Sequence, residues 1–154
     1  MRKIFLVTII ATSVWACSGS QTGSKEESTS QPETMTNTPT EEVVKPRVFF
    51  KAPEDGATVS SPVFVDMGVE GMQIEPAGEV HEGFGHHHIL INQDSWPKGE
   101  VIPASDSTIH FGKGQTNTSL ELAPGEYTLS LQFANGVHAS YGPDMAASIH
   151  VTVK

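Results

Sequence analysis

Short runs in which apolar side chains take every second position dominate the C-terminal part of the chain. That period constrains the fold more than any other feature. Val63, Val65, Met67 and Val69 alternate with Phe64, Asp66, Gly68 and Glu70. Tyr127, Leu129, Leu131 and Phe133 alternate with Thr128, Ser130 and Gln132, and Ile149, Val151 and Val153 with His150 and Thr152. Successive side chains of a strand point to opposite faces, so this pattern predicts half-buried strands. Val48–Lys51, His87–Asn92, Ile109–Phe111 and Thr118–Leu122 are further strand candidates. No stretch of this region sustains a helical period with capping signals. Pro53 to Gly56 breaks the chain. Pro124-Gly125 fits the centre of a type II turn joining Thr118–Leu122 to Tyr127–Phe133 as a hairpin. Asn135-Gly136 is a two-residue hairpin signal. About seven strands over 47–154 predict an all-β, immunoglobulin-like antiparallel β-sandwich, without the Cys–Trp–Cys hallmark of antibody domains.

The N-terminal end reads differently. Arg2 and Lys3 precede the almost wholly apolar Ile4 to Ala16. A basic start and a short apolar run make a secretory signal over 1–16. The run is too short to cross a bilayer, which takes about 20 helical residues. Val14-Trp15-Ala16-Cys17 resembles a bacterial lipobox. The resemblance implies cleavage before Cys17, lipidation there, and a membrane anchor in the bacterial cell envelope, at the outer membrane facing the periplasm or the cell surface. Residues 17–46 are dense in Ser, Thr, Gln, Glu and Pro and lack aromatic residues, the composition of a disordered tether. Cys17 is the only cysteine. A domain over 47–154 therefore has no disulfide, thiolate metal site or cysteine nucleophile. Residues 46–154 hold 13 acidic and 5 basic residues, a net charge of −8 with histidine neutral. That balance argues against nucleic acid and anionic lipid surfaces as partners of the domain.

All seven histidines fall within it: His81, His86, His87, His88, His110, His138 and His150. Alternation along a strand puts His86, His88 and Leu90 on one face and His87, Ile89 and Ile91 on the other. Leu90 and Ile91 are both apolar, so the strand is central and covered on both faces. Its histidines then sit half-buried at the sandwich rim. His86 and His88 can hold one metal from one face, and His87 joins only through a distorted backbone, for which Gly83 and Gly85 leave room. His110 and His138 stand near strand ends and complete the candidate set. Imidazole suits copper and zinc, and a thioether favours Cu(I). Met67 reads as core, while Met72 and Met145 cannot be placed. His81 lies in a loop and His150 faces solvent. A different account makes the histidines a structural network, hydrogen-bonded to loop carbonyls and to Glu79 or Glu82. The domain is then a binding module for an envelope polymer, glycan or protein, with Phe84, Trp96 and Tyr141 as stacking residues.

Catalytic motifs are lacking, so the reading is non-enzymatic. Gly112-Lys113-Gly114-Gln115-Thr116 lacks the spacing of a P-loop and precedes no helix; a tight turn accounts for it. Neither a nucleophile elbow nor H-E-x-x-H occurs. Copper–zinc superoxide dismutase chemistry lacks its Asp ligand loop and paired cysteines.

Phe49–Met72, Pro76-Ala77-Gly78, Gly85–Ile91, Ile109–Thr116, Leu122–Leu129 and Val137-His138-Ala139-Ser140-Tyr141-Gly142 resemble, in order, the bacterial family catalogued as domain of unknown function 4399. The resemblance spans nearly all of the domain and none of the tether. It implies a small secreted or lipid-anchored envelope domain and brings no established activity. The family pattern often has His-x-His at Thr108-Ile109-His110 and a second histidine near Tyr141. Both potential ligands are missing from this chain.

Overall fold

The computed structural model describes residues 44–154. The signal expected over 1–16, the lipidation expected at Cys17 and the expected tether as far as residue 43 lie outside the described residues. Among the described residues nine strands follow in chain order: β1 (Arg47–Ala52), β2 (Ala57–Val59), β3 (Val63–Glu70), β4 (Gln73–Ile74), β5 (Phe84–Ile91), β6 (Thr108–His110), β7 (Asn117–Leu120), β8 (Gly125–Ala134) and β9 (Ala146–Val153). One sheet has the order β1-β3-β7; the other runs β2-β9-β8-β5-β4, with β6 also paired to β5. The predicted alternation places the core between them. Val63, Val65 and Met67 from β3 meet Ile89 from β5, Leu129, Leu131 and Phe133 from β8, and Ile149, Val151 and Val153 from β9, all buried.

The all-β sandwich stands as expected, with three corrections of detail. It has nine strands rather than about seven, and the added β2 and β4 pair in parallel with β9 and β5. Thr118–Leu122 and Tyr127–Phe133 form no hairpin: β7 pairs with β3 in one sheet, and β8 lies in the other. The chain crosses between sheets there, and the Tyr127 hydroxyl donates to the Ala123 carbonyl at 3.0 Å. Such a tyrosine corner is a mark of immunoglobulin-like sandwiches. Asn135-Gly136 does form a turn, but not a two-residue one of type I′. That turn needs positive φ at both central residues. Here the positive φ, 67°, falls on His138.

The outer face of β5 is covered too. Leu90 and Ala134 pack there against Ile102, with Trp96 beside them. The covering segment is tied to the chain after β8. Gly99 N–H donates to Ser140 O at 2.8 Å, Ser140 N–H to Glu100 O at 2.9 Å, and Ile102 N–H to His138 O at 3.0 Å. Buried Gln132 on β8 accepts from Trp96 N–H at 2.9 Å and donates to Gly142 O at 3.0 Å. A fully hydrogen-bonded amide of this kind can pin two loops inside a protein without a desolvation penalty.

Candidate metal centre

Period two on β5 puts His86 and His88 on the outer face, under this cover. They are 0% and 1% exposed, so the expected half-buried rim position is corrected to full burial. His110 arrives through register: β6 runs antiparallel to β5 with His110 directly opposite His88. Directly opposed residues share a face, with Cβ atoms about 4.5–5.5 Å apart. His110 is itself exposed, and its ring lies over Gly112, where any Cβ would collide with Cε1 and Nε2 of the imidazole. Gly112 is thus a requirement of the site that the motif pattern did not reveal.

His138 comes from the turn after β8. Asn135 O accepts from His138 N–H at 2.9 Å, and the Asn135 side-chain oxygen accepts from Val137 N–H at 3.1 Å and Ala139 N–H at 3.0 Å. The Phe111–Gly114 turn closes in the same way, Gly114 N–H to Phe111 O at 3.0 Å, and there the residue at positive φ is glycine. His138 occupies the equivalent position with a side chain, in a conformation that costs a non-glycine residue about 1–2 kcal/mol. His138→Gly should therefore raise the unfolding free energy by about 1 kcal/mol while removing a ligand. Urea unfolding beside metal titration checks this; a loss of stability would contradict it.

The four rings converge. One nitrogen from each of His86, His88, His110 and His138 lies within 4.8 Å of all the others. His86 Nε2 stands 3.1 Å from His138 Nδ1 and 3.2 Å from His88 Nε2. A single ring nitrogen carries either a proton or a lone pair, so it cannot donate to one neighbour and accept from the other. Ligand atoms bound at 2.0–2.1 Å around a tetrahedral ion are separated by about 3.3–3.4 Å. A cavity of about 60 Å³ opens among His88, His110, His138, Ile102 and Ala104.

The electrostatics match. Burial, then His110 and His138, pushes the His86 imidazole down to about 4, with Glu75 acting in the opposite sense. Burial, then His86, His110, His138 and His87, pushes His88 down to about 3. Burial, then His138, also lowers His110. These rings are neutral at neutral pH, the form in which imidazole binds metals.

The structure does not bring His87 into this group. It faces the inter-sheet core, edge-on to Phe133 with ring centroids 5.1 Å apart. Both its nitrogens are buried without a hydrogen-bond partner. His150 is exposed, as expected, and pairs with Asp55 at 3.3 Å. His81 pairs with Glu75 at 2.8 Å, and Glu79 is 3.9 Å from its other nitrogen. Phe84, Trp96 and Tyr141 are half-buried. Trp96 packs on the outer-face cluster, and the Tyr141 hydroxyl donates to Phe84 O at 2.7 Å.

Fold and site together define an immunoglobulin-like sandwich with four histidines gathered on the outer face of its larger sheet. Residues 65–154, a span that includes all four, match the model of the family described as a domain of unknown function, DUF4399. The chain belongs to that family. No curated protein and no solved structure matches it.

Proposed function

We propose that the protein is a non-enzymatic, lipid-anchored envelope protein that binds one copper or zinc ion through His86, His88, His110 and His138. The convergence of four ring nitrogens within 4.8 Å carries the reading. Four protein ligands fill a tetrahedral ion, whereas catalytic zinc sites keep one position for water. That favours storage, delivery or stabilisation over catalysis. An all-imidazole set suits Zn(II) and Cu(II). His110 at the surface gives an incoming ion a first contact, and the buried pair then completes the shell.

Titration of the full, tag-free chain with Cu(I), Cu(II) and Zn(II) against a chromophoric chelator tests the reading. The expected result is one ion per chain with a Kd below about 1 μM, a binding free energy of about −8 kcal/mol. Binding no tighter than that of an unfolded histidine-containing chain would overturn it. The anchor rests on Val14-Trp15-Ala16-Cys17 and a basic, apolar start. Stable anchoring needs more than one acyl chain, as lipidation at the thiol and amine of one cysteine would supply. Cys17→Ser should move the protein from the detergent phase to the aqueous phase. An unchanged partition in Cys17→Ser protein shown by mass to lack residues 1–16 would remove the anchor from the proposal.

A further inference from the structure

We infer that Glu75 is a positioning residue for this centre: its carboxylate accepts from His86 Nδ1–H and so holds His86 Nε2 towards the metal, while His81 braces the same carboxylate from the solvent side. The inference rests on the metal-binding reading above and adds a residue that comes from outside the histidine strands.

Strand pairing places Glu75. β4 runs parallel to β5 with Gln73 beside Phe84 and Ile74 beside Gly85. Glu75 N–H then donates to Gly85 O at 2.8 Å, which carries the pairing one step further. Neighbours in parallel register share a face. Ile74 packs against the inter-sheet core. Glu75 therefore lies on the outer face beside His86.

The polar atoms left over on the two residues are complementary. The Glu75 side chain is only 16% exposed, and its Oε2 is engaged by His81 Nδ1 at 2.8 Å. Its Oε1 is buried without a partner, and so is His86 Nδ1. Leaving a buried polar atom without a partner is costly, so a rotation that joins the two is favourable. His86 Nε2 already points at His88 and His138. A metal-bound histidine almost always gives its other N–H to a carboxylate, carbonyl or water, which fixes the tautomer and raises ligand basicity. Glu75 is not among the residues whose donor atoms converge within 4.8 Å, so its place is behind the ligand rather than on the ion.

The test uses the full, tag-free chain with Glu75→Ala and Glu75→Gln. Long-range proton–nitrogen NMR without added metal reads the His86 tautomer. Zn(II) titration reads affinity, and thermal melts confirm that each variant folds. The wild type should hold its proton on Nδ1. Glu75→Ala should shift His86 towards a tautomer mixture and weaken Zn(II) binding by about 10–100-fold. Glu75→Gln keeps an oxygen acceptor and should recover part of both. An unchanged tautomer together with Zn(II) affinity within about twofold of wild type overturns the inference, even if the metal site stands. A tautomer that depends on Glu75 in a chain that binds no Zn(II) supports the positioning role and removes only its metal setting.

Discussion

Replacing His86 and His88 together with alanine should reduce Zn(II) or Cu(II) affinity at least 100-fold, a loss of about 2.7 kcal/mol or more. The two supply half of the converging nitrogens and the most buried half, at 0% and 1% exposure. They are also the pair whose geometry least depends on loops, since i and i+2 on one strand face the same side. What remains, His110 on a three-residue strand and His138 on a turn, is a two-ligand surface site. His150→Ala is the control. His150 sits on β9 with Asp55 and should leave affinity unchanged. Competition titration reads both variants. A double variant within tenfold of wild type would mean that the ion, if bound, is held elsewhere.

The second large effect is on acid stability. Burial, then His86 and Lys51, pushes His87 down to about 4. His86 and His88 fall to about 4 and about 3. In the unfolded chain these rings protonate near 6.5. Between 6.5 and about 4 the unfolded state therefore holds more protons than the folded one, and stability rises with pH. The stability due to these neutral rings is complete above 6.5 and is lost as pH falls towards 4. At 1.36 kcal/mol per pH unit, His87 alone accounts for about 3 kcal/mol. That is a large part of the 5–15 kcal/mol typical of a domain. His87→Leu should flatten the pH dependence by about that amount. It should also raise stability at pH 7 by about 1–3 kcal/mol, because it removes two buried nitrogens that have no partner. Urea unfolding at pH 4.5 and 7.5 measures both. Equal midpoints at the two pH values in the wild type would contradict the account.

Period two revealed the main strands and the grouping of His86 with His88, because side-chain direction in a strand follows from sequence alone. It also separated His87 from them. Burial of the pair could not be read in this way, since it depends on a cover that Gln132 and Ser140 pin across distant parts of the chain. β2 and β4 are three and two residues long, too short for any period to register. Without β4, nothing connected Glu75 to His86. Glu79 and Glu82 lie nearer in sequence to the histidines than Glu75 does. Pro124-Gly125 looked like a hairpin because turn chemistry is local, whereas the choice between pairing and crossing to the other sheet is not. The meeting of His110 with His88 depends on strand register. That of His138 depends on one backbone conformation which favours glycine and which the sequence fills with histidine.

X-ray absorption at the metal edge of the full, tag-free chain loaded with one equivalent of Zn(II) bears most directly on the central claim. About four nitrogen scatterers at about 2.0–2.1 Å are expected, with the outer-shell pattern of imidazole rings. The His86→Ala, His88→Ala double variant should lose that signature. A shell of oxygen scatterers with at most one imidazole, or a spectrum indifferent to the double substitution, would contradict it.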